Sequence, residues 1–254
     1  MLDLHGPNDQ PTGDIIEILK FKSLASTNQQ ANDLLKNGHK PPFWVIADEQ
    51  TAGRGRHGRQ WQSANGNLYT TTGRHFSLEA SALSSLSLVT GVALYDAITN
   101  TATRPLNLTL KWPNDLLSGE AKLGGILIES QKSQQATGYD LAIGIGLNIS
   151  AHPSLTERKT SSLSALGHNG TRDQIFNELT KSFDNWLNIW NKGEGLAAII
   201  DAWLKRAAPL NTAISVRLGD KRLEGRFAGL DKSGALLLKL EDDSLKIITG
   251  GEVL

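Results

Sequence analysis

The sequence predicts an α+β body followed by a small β-barrel. Strand-like runs and amphipathic helical segments are mixed through the first 208 residues, and the texture changes at Pro209. Beyond Pro209 come four short strand-like segments separated by turn signals, which are typical of a small barrel. The chain has 254 residues, enough for one large domain or for one domain with an appendage. We therefore expect a body of residues 1–208, in which residues 1–14 form a loose tail, and a barrel of residues 209–254.

The strands are predicted from apolar runs of the length that buried strands have. Leu106, Leu108 and Leu110 alternate with polar neighbours, which indicates a half-buried strand. The predicted strands of the body are Ile15–Phe21, Phe43–Ala47, Leu68–Thr72, Leu106–Leu110, Leu123–Glu129 and Leu141–Ile149. Those of the barrel are Ile214–Leu218, Leu223–Leu230, Ala235–Leu240 and Leu245–Thr249.

Helices are predicted from hydroxyl caps and from apolar residues spaced three and four apart. The first helix begins at Ser26 or Thr27 and ends near Gly38. A capping box, Thr171-x-x-Gln174, begins a later one. The other predicted helices cover Ser81–Asn100 and the segment from Leu196 to Trp203.

Composition excludes several classes of protein. The 26 basic and 26 acidic residues give a formal net charge of zero, which argues against a chain whose main task is to coat nucleic acid or an anionic membrane. The absence of cysteine excludes disulfide frameworks, thiolate zinc sites, iron–sulfur clusters and cysteine nucleophiles. The sequence shows neither a signal peptide nor an apolar run of membrane-spanning length, so we expect a cytoplasmic protein with no membrane partner.

A loop rich in glycine and arginine follows the second predicted strand. Gly53–Arg59 holds three arginines and three glycines in seven residues. Glycine lets the backbone approach a ligand closely, and arginine presents a planar fork for phosphate or carboxylate. The segment is compatible with a nucleotide phosphate site, an RNA-binding tract or a solvated loop, and by itself it does not decide among them. It is not a P-loop, because no Gly-Lys-Ser/Thr follows it.

The segment Lys111-Trp112-Pro113-Asn114-Asp115 stands where an alternating strand stops. Proline keeps the residue before it extended, so Lys111, Asn114 and Asp115 should cluster at the strand end. A carboxylate and an amide together suit Mg²⁺, which is typically held by one or two carboxylates and by substrate phosphates. The alternative is an ordinary Asn-Asp turn after a strand.

Two later strands carry glycines beside a polar residue. Lys122 enters one strand just before Gly124 and Gly125, and Asn148 follows Gly144 and Gly146 in the other. Glycines in a strand leave room for another group or for a ligand. The alternatives are a solvated lysine at a strand start and a packing feature around Asn148.

In this order and spacing, these segments resemble the biotin protein ligases, also called biotin–[acetyl-CoA-carboxylase] ligases. The matching segments are Ser26-Thr27-Asn28, Gln50-x-Ala52-Gly53-Arg54-Gly55-Arg56-His57-Gly58, Lys111-Trp112-Pro113-Asn114-Asp115, Lys122-Leu123-Gly124-Gly125-Ile126, Gly144-Ile145-Gly146-Leu147-Asn148 and the closing Gly250-Gly251-Glu252-Val253. The resemblance runs from about residue 15 to the C-terminus. Each motif is weak or moderate alone, but their succession in one chain is specific.

The resemblance implies a fold and a reaction. The fold is a mixed-sheet catalytic domain akin to class II aminoacyl-tRNA synthetases, followed by a small SH3-like β-barrel. The enzymes make biotinyl-5′-AMP from biotin and ATP, and then pass biotin to a lysine of a biotin carboxyl-carrier protein. That carrier is the protein partner we expect, and we expect Mg²⁺ to act with ATP.

The resemblance also implies roles for individual positions. The expected biotin-binding residues are Ser26, Thr27, Asn28, Gln50, Arg54, Gly55, Arg56 and Lys122. The residues expected at ATP and the adenylate are Arg54, Arg56, Lys111, Asn114, Asp115 and Asn148. Lys122, Arg56 and Asp115 are the expected catalytic residues, and Asp115 is also the expected Mg²⁺ ligand. The acceptor lysine, with an ordinary pKa of about 10.4, must lose a proton, and Asp115 and Lys122 are both candidates to take it.

The sequence departs from the family pattern in some places, and two alternative functions stay open. Some members carry an N-terminal helix-turn-helix domain, and the short tail here leads us to expect no specific DNA binding. His57 stands where many members have arginine or glycine, which leaves its contribution open. Several relatives pair through exposed sheet edges, so a homodimer is compatible with the resemblance.

The alternative functions are a lipoate ligase or octanoyltransferase, and a non-enzymatic RNA-binding module whose affinity for RNA would fall steeply with salt.

Overall fold

A seven-stranded mixed sheet forms the centre of the body in the computed structural model, which describes residues 16–134, 136–154 and 159–254. Its strands are β1 (Glu17–Leu24), β2 (Phe43–Gln50), β3 (Leu68–Phe76), β4 (Thr109–Lys111), β5 (Asp115–Ser118), β6 (Ala121–Lys132) and β7 (Tyr139–Leu147). They lie in the order β1-β2-β3-β7-β6-β5-β4. β1 and β2 are parallel, and the other neighbours are antiparallel. The predicted tail, residues 1–14, lies outside the described residues.

Helices cover both faces of this sheet. They are α1 (Thr27–Lys36), α2 (Ala80–Leu83), α3 (Leu86–Thr101), α4 (Arg172–Trp190) and α5 (Leu196–Leu204). α1 packs on β2, β3 and β7, whereas α3 packs on β6 and on the helices α4 and α5. In β2, Phe43 and Val45 belong to the apolar cluster under α1, and Trp44 and Ile46 belong to the larger core on the other face. A strand buried on both faces has a continuous apolar run, as the sequence predicts here.

The caps of two helices confirm their predicted starts. Ser26 is the N-cap of α1, and its side chain accepts a hydrogen bond from the backbone N–H of Gln29. Thr171 caps α4 and forms both hydrogen bonds of the capping box with Gln174. The cap at Ser26, itself a predicted site residue, fixes the first turn of α1, which carries two more, Thr27 and Asn28.

Two segments differ from the prediction. The helix expected over Ser81–Asn100 is divided into α2 and α3, because the hydroxyl of Ser85 donates to the carbonyl of Ala82 at 2.7 Å and accepts from the Trp190 indole N–H at 2.9 Å. A serine that bonds to nearby backbone in this way competes with the helical ladder. The predicted strand Leu106–Leu110 is shifted: β4 covers Thr109–Lys111, and Asp115 begins a further strand, β5, in which it pairs with Gly125 of β6.

The residues from 213 onward form a second sheet. Its strands are β8 (Ala213–Leu218), β9 (Lys221–Leu230), β10 (Leu236–Lys239), β11 (Leu245–Ile248) and β12 (Glu252–Val253). They are antiparallel and lie in the order β11-β10-β9-β8-β12. Gly219 and Gly234 adopt positive φ at two of the predicted turns. The predicted fold class, a mixed-sheet α+β body with a terminal β domain, is confirmed.

The terminal sheet packs directly on the body. Phe227 of β9 meets Trp203 of α5 edge to face, with ring centroids 6.4 Å apart. The indole N–H of Trp112 donates to the carbonyl of Gly234 at 3.2 Å. These contacts bring the terminal sheet beside the Lys111–Asp115 segment. Within the described ranges, no helix has the length and apolar character needed to cross a membrane.

Candidate active site

The predicted site residues meet at one cavity of about 410 Å³ on the α1 side of the sheet. Eleven of the twelve line it: Ser26, Thr27, Asn28, Gln50, Arg54, Gly55, Arg56, Asn114, Asp115, Lys122 and Asn148. The twelfth, Lys111, lies next to this lining, with its Nζ 3.9 Å from Oδ2 of Asp115. Segments up to about 120 residues apart in sequence are thus gathered around one space.

Glycines of β6 and β7 make that space. A Cβ on Gly144 would lie 1.8 Å from Oδ1 of Asn28, and one on Gly146 would lie 2.6 Å from the ring of Trp61. Both glycines are therefore needed for the side chains that sit above the sheet. The sequence-based expectation that glycines leave room over this strand is confirmed.

One end of the cavity is built from uncharged hydrogen-bonding groups. Gln50 Oε1 accepts from the backbone N–H of Thr27 at 2.8 Å and from its hydroxyl at 3.1 Å. The buried hydroxyl of Thr71 lies 2.9 Å from Thr27 Oγ1 and 2.7 Å from Asn28 Oδ1. The Asn28 amide donates to the carbonyl of Leu127 and to the carboxylate of Glu129, at 3.1 and 2.9 Å. These bonds lock the orientation of the polar groups, and such groups suit a neutral polar ring.

The opposite end is cationic. Lys122 Nζ lies 2.5 Å from Oδ1 of Asp115, which is 7% exposed. Lys111 approaches the other oxygen of the same carboxylate, and the Lys122 ammonium also lies 5.6 Å from the ring centre of Trp61. Two lysines around one buried carboxylate leave a net positive charge at this end, which favours an anionic ligand.

The arginine loop closes over the cationic end. Its tight turn passes through His57 and Gly58, both in the left-handed region with φ of 58° and 72°. Arg56 donates to Oδ1 of Asn114 at 3.0 Å and to the carbonyl of Gly251 at 3.2 Å. Arg54 pairs with Glu129 at 3.0 Å. The loop is thereby bound both to the sheet and to the terminal domain.

Burial changes the electrostatics of Arg56. Desolvation lowers the pKa of its guanidinium, and the carboxylates of Asp115 and Glu252 oppose that shift. Because the ordinary pKa of arginine lies far above neutral pH, Arg56 stays protonated at pH 7. It therefore supplies a fixed positive charge to a half-buried position.

Two buried polar atoms of the lining have no hydrogen-bond partner among the described residues: Oδ1 of Asn148 and Nε1 of Trp61. The Asn148 amide is held in place because its Nδ2 donates to the carbonyl of Ser161 at 3.1 Å. Buried polar groups are usually satisfied. An orphaned acceptor and an orphaned donor in one cavity therefore point to a ligand that carries the complementary groups.

The side chains do not form a metal site of their own. In the part of the chain that the structure describes, no three histidine, aspartate or glutamate side chains come together as a metal-binding group. Asp115, the expected Mg²⁺ ligand, is ion-paired with Lys122. A carboxylate that is already neutralised by an ammonium group is a poor ligand for a hard cation.

Comparison with known proteins identifies the family. Residues 20–148 match the Biotin/lipoate A/B protein ligase family, and residues 210–254 match the Biotin protein ligase C terminal domain. The biotin–[acetyl-CoA-carboxylase] ligase of Paracoccus denitrificans is 37% identical over 84% of this chain and 90% of its own length. The chain belongs to the biotin/lipoate A/B protein ligase family.

Further relatives place it with the biotin ligases of that family. The bifunctional ligase/repressor BirA of Escherichia coli K12 is 34% identical over 91% of this chain and 71% of its own length. The solved structure of the biotin protein ligase from Aquifex aeolicus, in complex with biotin and ATP, has a TM-score of 0.78 at 26% identity, covering 94% of this chain and 97% of that one. The recognition as a biotin protein ligase is confirmed, and the lipoate alternative is not favoured because the terminal domain matches that of the biotin ligases.

Sequence reasoning missed several residues that complete this ligase site. Thr71 and Glu129 orient Asn28, and Glu252 binds the arginine loop through Arg59. Nothing in the local pattern marks Thr71 or Glu129, because each lies in an ordinary strand. Glu252 belongs to the closing Gly250-Gly251-Glu252-Val253 segment, so family resemblance was the one signal that could have drawn attention to it.

Proposed function

We propose that this chain activates biotin with ATP to form biotinyl-5′-AMP and pyrophosphate, and then transfers biotin to a specific lysine of a biotin carboxyl-carrier protein, that of acetyl-CoA carboxylase. The observation that carries the proposal is the polarity of the cavity. Its neutral end, around Asn28 and Gly144, and its cationic end, around Lys122 and Gly125, lie along the same two strands. Gly125 pairs with Gly146, two residues from Gly144, so about 7 Å separates the two ends.

Biotin has the matching distribution of groups. Its ureido ring is neutral and needs donors and acceptors, which Thr27, Asn28 and Gln50 provide. Its aliphatic tail needs an apolar surface, and Leu127 and the ring of Trp61 are apolar parts of the cavity lining. Its carboxylate would then reach the cationic end, where ATP must also bind.

The first half-reaction joins two anions. A carboxylate oxygen of biotin attacks the α-phosphorus of ATP, the bond from that phosphorus to the bridging oxygen breaks, and pyrophosphate leaves. Negative charge builds on the phosphate oxygens, so catalysis depends on positioned cations. Arg56, Lys111 and Lys122 supply these charges, and Asn114 holds Arg56 in place. Arg54 pairs with the Glu129 oxygen that also holds Asn28, so its contact with the adenylate stays a prediction.

The adenine ring of ATP fits the orphaned atoms of the cavity. The acceptor Oδ1 of Asn148 suits the exocyclic amine of adenine, and the indole of Trp61 offers both a flat ring surface and an N–H donor. This assignment keeps the nucleotide at the end of β7 that is remote from Asn28.

In the second half-reaction the amine of the acceptor lysine attacks the carbonyl carbon of the mixed anhydride, and AMP leaves. Only about one lysine in 10³ is neutral at pH 7, so the site must take a proton from the incoming ammonium. Asp115 is the group that we propose for this role, because its carboxylate can accept a proton, whereas Lys122, which donates to it at 2.5 Å, is an ammonium with no free lone pair.

The family resemblance implies Mg²⁺, but the residues present do not fit a protein-held ion. Asp115 is paired with Lys122, and no other carboxylate joins it in a metal-binding group of the described residues. We expect Mg²⁺ to be carried by the phosphates of ATP, as is common at such sites.

The remaining expectations belong to the same proposal. The boundary at Pro209 separates a catalytic domain from an SH3-like barrel, the protein acts in the cytoplasm, and a homodimer stays compatible with the family. The first domain match ends at residue 148 and the second begins at residue 210, which supports a boundary near Pro209.

The decisive experiment is biotin-dependent exchange of labelled pyrophosphate into ATP, because it isolates adenylate formation and needs no acceptor protein. Exchange with biotin, but not with lipoate or octanoate, is the expected result. Exchange with lipoate or octanoate alone would overturn the substrate. Absence of exchange with all three acids would overturn the reaction.

A further inference from the structure

The short terminal strand β12 contacts the cationic side of the cavity. Glu252 lines the cavity itself, although it lies 193 residues after its partner Arg59. Gly251 and Val253, on either side of Glu252, contact two more positively charged side chains of the site, Arg56 and Lys111. We call this segment, Gly251–Val253, the terminal latch.

The ion pair between Glu252 and Arg59 is bidentate. Nη1 and Nη2 of Arg59 lie 2.5 and 2.6 Å from the two carboxylate oxygens. The carboxylate side chain is only 17% exposed, so the pair is partly desolvated. Paired N–H···O⁻ bonds of this kind are among the strongest in proteins and they fix the relative orientation of both groups.

Arg59 in turn closes the arginine loop. Its backbone carbonyl accepts from the N–H of Gly55 at 2.7 Å, and its own N–H donates to the carbonyl of Arg56 at 3.3 Å. The segment from residue 55 to residue 59 is thus a closed turn whose far end is held by Glu252. A displacement of Arg59 would therefore move Arg56.

The two backbone carbonyls of the latch hold further cations. The carbonyl of Gly251 accepts from Nη2 of Arg56 at 3.2 Å, and that of Val253 accepts from Nζ of Lys111 at 3.0 Å. Gly251 has φ of 123°, and a Cβ there would lie 2.5 Å from the carbonyl oxygen of Arg217. The backbone path that aims this carbonyl at Arg56 is thus available to glycine and not to other residues.

We propose that the terminal latch positions the adenylate-binding cations, with Glu252 as a positioning residue that acts through Arg59 on Arg56. The inference rests on the proposed function. Glu252 need not touch substrate: it holds the loop so that Arg56 and Lys111 face the phosphates before ATP arrives.

A purely structural clamp between the domains is the competing explanation, and it has a different signature. A clamp would affect the stability of the whole chain, whereas a positioning group changes the loop and the binding of ATP. The test compares Glu252→Gln with Glu224→Gln, a matched control in the same sheet. Glu224 pairs with Arg222 at 3.2 Å, and both side chains are well exposed.

Two measurements are made on the full-length protein. Hydrogen exchange of the backbone amides from residue 51 to residue 62 is followed without ligand, and KM for ATP and for biotin are determined in the pyrophosphate exchange assay. Glu252→Gln should speed loop exchange and raise KM for ATP about tenfold, the effect of losing one charge-assisted hydrogen bond. KM for biotin and the exchange rates of β8–β10 should stay near those of Glu224→Gln.

A second variant separates the latch from unfolding. Arg59→Gln breaks the same pair from the loop side and leaves the terminal sheet intact, so it should reproduce the effect of Glu252→Gln. The double variant should be no worse than either single one. Additive effects, or Glu252→Gln that matches Glu224→Gln in both measurements, would overturn the latch. So would faster exchange throughout the terminal sheet together with an unchanged loop.

The readouts also keep the two proposals apart. A wild-type protein without biotin-dependent exchange would overturn the proposed function. The hydrogen-exchange comparison needs no substrate and would still decide whether Glu252 holds the loop.

Discussion

The carboxylate of Asp115 lies between the ammonium groups of Lys122 and Lys111, at 2.5 and 3.9 Å. Removal of one partner from such a buried pair leaves a charge that neither water nor protein compensates fully. Substitutions here consequently change stability as well as chemistry. The choice of replacement decides whether the two effects can be separated.

Replacement of Lys122 by methionine should lower the rate of pyrophosphate exchange by at least about a hundredfold, since one cation at the developing phosphate charge is lost. Methionine keeps most of the side-chain volume but leaves the buried carboxylate of Asp115 without its nearest cation, so unfolding should cost about 3–5 kcal/mol less than in the wild type. Urea unfolding and the exchange assay together check both numbers. Lys181→Met, on an exposed part of α4, is the control and should change neither. Full exchange activity in Lys122→Met would remove Lys122 from the mechanism.

Glu129 acts on the opposite end of the cavity. One of its oxygens accepts from Asn28 at 2.9 Å and from Arg54 at 3.0 Å, so it links the neutral end to the loop. Replacement by glutamine keeps the shape but removes the charge that holds both donors. We expect KM for biotin to rise about tenfold, and KM for ATP to change less. Isothermal titration with biotin alone checks the first part; unchanged affinity would show that Asn28 is oriented by its bonds to Thr71 and Leu127.

At the scale of elements, β6 and β7 form the floor of the cavity because glycines without side chains occupy key positions in both strands. Gly144 and Gly146 alternate with Ile143, Ile145 and Leu147, whose side chains fill the core on the other face. One strand thereby supplies both a packed core and an open floor. The N-cap at Ser26 adds the other wall, because it fixes the turn that carries Thr27 and Asn28.

The open floor can be tested with a single methyl group. Gly144→Ala would place a Cβ 1.8 Å from Oδ1 of Asn28, whose amide is held by three hydrogen bonds and cannot retreat. We expect a loss of about 1–3 kcal/mol in unfolding free energy and at least a tenfold weaker affinity for biotin. Gly91→Ala on α3 is the matched control, since its Cβ would meet neighbours at 3.6 Å or more. It should gain up to about 1 kcal/mol from helix propensity and keep its activity. Equal biotin affinity in both variants would show that biotin binding does not require the open space above Gly144.

At the scale of the whole molecule, a zero net charge coexists with a strongly basic cavity. The cations of the site are compensated locally: Arg54 by Glu129, Arg59 by Glu252 and Lys122 by Asp115. Fixed partners keep the cations in place before substrate arrives, which reduces the reorganisation that binding requires. The cavity thus has a local positive field although the net charge of the chain is zero.

The two domains should unfold together. Phe227 packs on Trp203, and residues of β8, β9 and β10 belong to the same buried cluster as α3–α5. We expect a single calorimetric transition, and Phe227→Ala should shift that transition as a whole, with a cost of about 3–5 kcal/mol. Thermal scans by calorimetry and by far-ultraviolet circular dichroism check this. Separate transitions, or a shift confined to one of them, would show that the terminal sheet is an independent unit.

Much of the fold of this protein follows from local physical chemistry and could be predicted from the sequence. The capping hydroxyls of Ser26 and Thr171, the apolar run of β2 and the turn glycines act over a few residues, so the fold class and most elements could be predicted. The family could be recognised because its motifs are short, contiguous and in order. Eleven of the twelve predicted site residues line one cavity for the same reason.

Only the tertiary structure decided how these residues are paired. Arg56 and Gly251 are 195 positions apart, Arg54 and Glu129 are 75 apart, and Asn28 and Glu129 are 101 apart. No local pattern selects such partners, because they depend on which strands lie side by side and on which face each side chain emerges. For the same reason no local pattern reveals that Asp115, the predicted Mg²⁺ ligand, is the ion-pair partner of Lys122 in the fold. The sequence determined the groups available for chemistry, and the packing of distant strands determined which charge each group faces.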